Sequence, residues 1–260
     1  MATATRIMVF AWAIAMLCPP VVTAGTVTLQ NGLNGYTGTT DAWLDASQAR
    51  DNYGGAPDLH IRWYNGRDDC VVLKFDLTGQ IPQGAAIISA TLSLYYVTAG
   101  SFQNDNAVTI KPFRLQASAW WDENAGNGLY GEGVSYRYRD INESYEWTGG
   151  EEGGWWDKLD DGNGTNKIKD TNGSPPDAIP PGNWVSFDVT PSVIQWRGGA
   201  TNNGFLLVAT GFQGGGTTVY GVFVSRNDSG AGYRPKLAIT YEPPVPARES
   251  SWGRIKGLYR

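Results

Sequence analysis

Apolar and polar residues alternate along much of this chain with a period of two, and glycine, proline and asparagine punctuate the alternation. In LHIRW (59–63), Leu59, Ile61 and Trp63 fall on one side and His60 and Arg62 on the other. VVLKFDL (71–77) directs Val71, Leu73, Phe75 and Leu77 inward and Val72, Lys74 and Asp76 outward. ATLSLYYV (90–97) hides Leu92, Leu94 and Tyr96 and displays Thr91, Ser93 and Tyr95. The rhythm returns in VTIKPF (108–113), WVSFDVT (184–190), GFLLVAT (204–210), VYGVFVS (219–225) and KLAITY (236–241). Such alternation marks strands with one face on a core and the other in water. Repeated this often, it predicts an all-β fold, an antiparallel two-sheet β-sandwich of the jelly-roll type. One stretch, TPSVIQWRG (190–198), reads as a helix. Thr190 caps it, Pro191 takes the first helical position, Val193 and Trp196 share a face, and Gly198 stops it.

Three stretches break the rhythm. Residues 122–183 form a long insertion rich in glycine, tryptophan and acids; structureless segments of that length are uncommon inside compact domains and are usually functional or disordered. Residues 243–260 are a proline-rich linker followed by a basic, aromatic tail. Residues 1–24 carry Arg6, an apolar run from Ile7 to Leu17 and a small-residue exit at Val22, Thr23 and Ala24. That is the layout of a secretory signal peptide cut after Ala24, and the run is shorter than the ~20 residues a bilayer-spanning helix needs. The expected organisation is therefore a signal peptide (1–24), one sandwich domain (25–242) and a tail (243–260). The mature chain is expected to be secreted, extracellular or at the cell surface, with no membrane span.

Composition narrows the chemistry. Of two cysteines, Cys18 lies in the leader, so Cys70 has no intramolecular partner and a disulfide scaffold is excluded. Cys70 sits in a strand-like run and reads as a small buried hydrophobe. With a single histidine, His60, zinc sites and histidine-based triads lack material. The net charge of −5 comes from one place: residues 140–170 hold nine carboxylates against three lysines. No basic stripe suggests nucleic acid.

Several segments in register resemble one family. They are DAWLDASQARDNYGGAPDLHIRW, CVVLKFDLTGQIPQGAAIISATLSLYY, WVSFDVTPSVIQWRGGATNNGFLL and FVSRNDSGAGYRPKLAITY. Their order and spacing are similar to those of the DNRLRE, or disaggregatase-related, domain family, over roughly residues 26–241. The resemblance implies an exported bacterial or archaeal sandwich of the jelly-roll kind. Such domains accompany polysaccharide-degrading enzymes or decorate cell surfaces, and some are similar to modules that bind alginate-like acidic polysaccharides. It also implies that a structural cation often accompanies the fold.

Binding an anionic glycan requires cations and rings on a solvated face, and arginine offers a bidentate fork to carboxylates. The outward residues His60, Arg62, Lys74, Tyr95 and Lys111 are the candidate ligand-binding set; they equally fit ordinary solvated strand positions. The insertion keeps three readings. Trp147, Trp155 and Trp156 suit a sugar-binding surface. Asp157, Asp160, Asp161 and Asn163 have the oxygen density for a structural calcium ion, although the EF-hand spacing is absent. The plain reading is a folded-back loop whose tryptophans plug the end of the sandwich. Asp41, Asp45 and Asn52 read as turn caps before a cation site, and Asp76 and Asp188 as partners of Arg226 or Arg234.

The function expected is an exported, non-catalytic carbohydrate-binding or cell-surface module whose partner is a polysaccharide, acidic ones included, or a cell-envelope glycan. The alternative is a self-associating matrix, sheath or filament protein. A third reading is a polysaccharide lyase using an arginine, a tyrosine and His60; nothing in the sequence places two carboxylates at the separations glycoside hydrolysis needs.

Overall fold

The computed structural model describes residues 23–63, 68–100, 107–124, 126, 128–149, 153–169, 176–212 and 219–244. The leader up to residue 22 and the tail from residue 245 lie outside them. In chain order the strands are β1 (Gly25–Gln30), β2 (Thr39–Leu44), β3 (Asp51–Asn52), β4 (Asp58–Trp63), β5 (Cys70–Phe75), β6 (Ala86–Gly100), β7 (Val108–Leu115) and β8 (Leu129–Tyr130). There follow β9 (Tyr138–Asp140), β10 (Tyr145–Glu146), β11 (Lys158–Leu159), β12 (Asn166–Ile168), β13 (Asn183–Asp188), helix α1 (Thr190–Arg197), β14 (Phe205–Phe212), β15 (Val219–Val224) and β16 (Lys236–Glu242).

Two antiparallel sheets carry the fold, as the alternation predicts. The first runs β1–β16–β6–β15–β4, with β13 also paired to β6. The long β6 organises it: Ser93 is flanked by Lys236 of β16 and Ser186 of β13, and Tyr96 by Phe223 of β15 and Asn183 of β13. The second runs β11–β7–β14–β5–β2, with β12 also paired to β7. Leu59, Ile61, Leu92, Leu94, Tyr96, Leu237 and Ile239 of the first sheet meet Val71, Leu73, Phe75, Ile110, Phe205 and Leu207 of the second in one dry core. Helix α1 adds Val193 and Trp196, and the Trp196 ring lies 4.9 Å from Phe205. Gly198 ends the helix as expected, but the helix begins one residue early: Val189 occupies the cap position, Thr190 is the first helical residue and Pro191 the second. Its entry is held by Asp188, whose Oδ1 accepts from both the amide (2.9 Å) and the hydroxyl (2.6 Å) of Thr190. Asp76 likewise accepts from the Thr78 amide at 2.9 Å. Both aspartates therefore cap turns, and Arg226 and Arg234, the expected partners, are engaged elsewhere.

The insertion does not plug the end of the sandwich. It lies over the outer face of the second sheet, where Ala42, Leu44, Cys70, Val72, Phe113, Leu115, Leu206 and Val208 form a second core with Trp121, Val134, Tyr136 and Trp147. These outward strand residues are apolar, so the face cannot stay in water and the insertion is drawn down onto it. Trp147 is 2% exposed and its indole donates to the Ser135 carbonyl at 2.9 Å. Burying a ring of that size is worth on the order of 3 kcal/mol.

The edge of the second sheet is closed by side chains. The Thr39 amide of β2 donates to Asn31 Oδ1 (3.2 Å) and the Asp41 amide to Glu123 Oε1 (2.8 Å). Free edge groups of this kind otherwise template pairing with another chain.

Candidate functional site

The five outward strand residues do not assemble into one face. His60 lies at the sandwich edge with its ring 4.4 Å from that of Trp43, which in turn stacks on Tyr53 at 3.9 Å. His60 Nε2 is 3.1 Å from Asp58 Oδ2. Arg62 spends its guanidinium inside the molecule: Nε is 2.8 Å from Asp69 Oδ2 and Nη2 is 3.5 Å from Asp45 Oδ1. Burial pushes Asp69 up to about 6 despite that arginine, and burial together with Asp45 and Asp51 pushes the Tyr53 phenol up to about 12. Tyr95 stands on the outer face of the first sheet, 4.4 Å from Tyr233 and 5.5 Å from Trp184 by ring centroids. Lys111 pairs with Asp160 at 2.6 Å. Lys74 lies 5.1 Å from the Trp121 ring, and burial lowers its pKa although Glu123, Asp122 and Asp76 pull the other way.

The four oxygen donors suggested for calcium are each directed to a protein partner. Asp157 accepts from the Thr148 amide and hydroxyl (both 2.7 Å) and from Gln116 Nε2 (2.7 Å). Asp160 takes Lys111 and the Gly162 amide. Asp161 takes Arg114 at 2.5 Å and the Ser192 hydroxyl at 2.9 Å. Asn163 donates to the Pro112 carbonyl and to Ser192. Among the described residues no group of three or more histidine, cysteine or acidic side chains could hold a metal ion. These residues staple the insertion to β7 and α1.

The tryptophans divide. Trp147 belongs to the second core, whereas Trp155 is 36% and Trp156 60% exposed. The two exposed rings sit on a 3-10 turn, residues Trp155–Asp157, entered through Gly153 and Gly154. Gly153 has φ 55° and rests against Tyr136 and Cys70; a Cβ there would come within 2.7 Å of the Tyr136 ring. Only glycine fits that approach. Lys158 Nζ lies 3.4 Å from the centroid of the Trp155 ring. Two further exposed rings escaped the sequence reading, Trp120 (41%) just before the insertion and Tyr145 (45%) on it. They meet edge to face at 5.1 Å, and the Arg139 guanidinium lies 5.3 Å from the first and 6.0 Å from the second. Arg139 is fixed by hydrogen bonds to the Glu146 and Ser118 carbonyls. The doubled tryptophan at 120–121 was the available signal, since one ring is buried (Trp121) and its neighbour is not. Gly149 backs Trp156, its α-carbon packed so closely on that side chain that a Cβ would fall 2.5 Å from the ring.

A carboxylate pair also emerges. Asp41, buried at 1% exposure, accepts from Ser225 Oγ (2.9 Å) and the Arg226 amide (2.7 Å). Glu123 grips the Arg226 guanidinium through both oxygens, with Nε to Oε1 at 2.5 Å. Asn52 donates to the Glu123 and Val134 carbonyls at 2.8 and 2.7 Å. This network joins β2, the residues after β15 and the insertion, and every one of its members is occupied by another.

No protein-family model matches the chain, and no curated protein matches it either. Among the described residues no helix is long and apolar enough to cross a membrane.

Proposed function

We propose that the protein is an exported, non-catalytic carbohydrate-binding module that takes glycan chains, acidic ones above all, on the aromatic surface of its insertion. One observation carries this reading. Trp120, Tyr145, Trp155 and Trp156 are exposed while Trp121, Tyr136, Tyr138 and Trp147 nearby in the chain are buried, and Arg139 and Lys158 are seated beside Trp120 and Trp155. Exposed rings beside cations offer what an acidic sugar uses, a flat apolar face for its C–H groups and positive charge for its carboxylates. Exposed aromatics of this size are enriched at interaction surfaces. The leader-like residues 1–24 and the resemblance to the DNRLRE family support export and the glycan class. The carboxylate pair is read as structural because each oxygen is already committed within the fold.

Electrophoresis of the protein in gels containing alginate, pectin or a neutral glucan, with calcium and with chelator, tests the proposal. An acidic glycan is expected to retard the protein, and Trp156→Ala combined with Trp120→Ala to abolish the retardation. Equal mobility in every gel removes the proposal.

A further inference from the structure

The edges of the two main sheets are not finished alike. β2 is met by Asn31 and Glu123. β13 is met from the second sheet, where the Gly164 amide donates to the Asp188 carbonyl (2.8 Å) and Asn166 Nδ2 to the Ser186 carbonyl (3.0 Å). β12 is held by Ile179, whose amide donates to the Lys167 carbonyl at 2.8 Å. The Arg62 amide of β4 donates to the Asp69 carbonyl at 3.1 Å, and β11 is only two residues long. β1 is the exception. It pairs residue by residue with β16 on one side. Among the described residues, no hydrogen bond reaches the backbone on its other side between Thr26 and Leu29.

Which groups of β1 face outward follows from the ladder. The Val189 amide donates to the Ala90 carbonyl at 2.9 Å and the Ala90 amide to Thr190 Oγ1 at 2.8 Å, so Ala90 turns its backbone toward the β13 side. Thr91 then turns the other way, toward Ala238 of β16. Alternation along β16 directs Leu237 and Ile239 to β1, against Leu29 and Val27. Thr26 and Thr28 are therefore left with amide and carbonyl pointing away from the sheet. Native proteins block such an edge with charge, proline or a bulge. GTVTLQ carries no charge and no proline, and its pairing with β16 has no shift.

We propose that this edge is a dimer interface, in which β1 pairs antiparallel with β1 of a second copy about a twofold axis at Val27. Thr26-Val27-Thr28 reads the same in both directions, so one register satisfies both chains. Each Thr26 stands opposite the partner's Thr28, and the two pairs exchange four backbone hydrogen bonds. The threonine side chains then meet on the outer face, where Thr26 already meets Thr240, and such cross-strand pairs are favourable. On the inner face Val27, partly buried against the main core, meets the partner's Val27. A twofold contact of one edge with itself is closed, so pairing stops at two. The chain's own tail suits this edge poorly, because Pro243, Pro244 and Pro246 interrupt any strand it could add. The interface uses none of the exposed rings of the insertion and does not depend on the glycan reading.

The test is sedimentation equilibrium of the protein at concentrations up to about 1 mM, with circular dichroism to report folding. A reversible dimer is expected. Thr28→Pro removes an outward amide that β16 does not use and should weaken dimerisation about tenfold or more. Two double variants then test the register. Thr26→Lys with Thr28→Lys sets like charges opposite each other across the axis and should give a monomer. Thr26→Lys with Thr28→Glu sets opposite charges there and should restore the dimer. A protein that stays monomeric over the whole range overturns the proposal. So does a dimer untouched by Thr28→Pro, since the contact would then lie on another surface. Equal association of the two double variants also overturns it, because the threonines would not face each other.

Discussion

The outer faces of the two sheets are built on opposite plans. On the first sheet the outward positions mix hydroxyls with rings: Thr26 meets Thr240 (Oγ to Oγ 3.3 Å), Ser93 meets Ser186 (2.8 Å), and Tyr95 lies 5.5 Å from Trp184. Thr26, Thr91 and Ser186 are exposed to water there. On the second sheet the outward positions are Ala42, Leu44, Val72, Leu206 and Val208, all buried beneath the insertion. The same strand geometry thus yields a surface on one side of the molecule and an interior on the other. The difference teaches that the insertion is part of the hydrophobic core, with its exposed rings carried on a base that cannot leave without exposing that core.

Substitutions can break this contrast. The largest effect is expected at Trp147→Ala, which removes the central ring of the second core and should cost about 3–5 kcal/mol, measured by urea denaturation. Trp156→Ala, nine residues away on the same insertion, should change stability by less than about 0.5 kcal/mol. Comparable losses from both variants would show that the exposed ring is structural.

Next comes the clamp between insertion and sandwich. Arg226→Ala strips Glu123 of its guanidinium partner and should destabilise by about 3 kcal/mol, as breaking a buried pair does. A denaturation midpoint unchanged from the parent protein would rule out this clamp.

The same clamp makes stability depend on pH. Burial, helped by the Glu123 charge, pushes Asp41 up to about 7 against the hydrogen bonds from Arg226 and Ser225. Above about pH 4 the unfolded chain has released this proton, while the folded protein still holds it. The stabilisation is therefore complete below about pH 4 and is lost as pH rises through about 7. Asp41→Asn, which keeps the side chain neutral, should flatten that part of the stability–pH curve. Part of the slope remains, because Asp69 titrates in the same direction. An unaltered curve would show that Asp41 is not its source.

The smallest effects sharpen the comparison directly. Val72→Thr buries a hydroxyl under the insertion and should cost about 1–3 kcal/mol. Ser186→Ala on the open face of the first sheet should stay within about 0.5 kcal/mol. If the two values coincide in thermal melts, the second sheet's outer face is wetter than its packing indicates.

Much of the architecture was legible as alternation. Leu92, Leu94 and Tyr96 point inward and Thr91, Ser93 and Tyr95 outward because one face of β6 meets water. Strand β2 was not legible: Asp41 is buried in the middle of TTDAWL, and its partners come from positions 123, 225 and 226, which no local pattern can announce. The two-sided burial of β5 and β14 was missed, because VVLKFDL and GFLLVAT read as alternation with one face in water, whereas Val72, Leu206 and Val208 are buried on the outward side. Of the proposed surface, Trp155 and Trp156 were visible as exposed candidates. Trp147 looked the same in sequence and differs only because Gly153 and Gly154 turn the chain between them.

Cys70 turns this architecture into a clock. Its thiol is buried, it donates to the Gly153 carbonyl at 3.4 Å, and desolvation raises its pKa well above the ordinary thiol range. An alkylating reagent can reach that sulfur only after the turn at Gly153 has lifted away. The rate of labelling in native buffer therefore counts openings of the insertion one molecule at a time, without any engineered probe. A bound glycan that holds the insertion down would register as slower labelling.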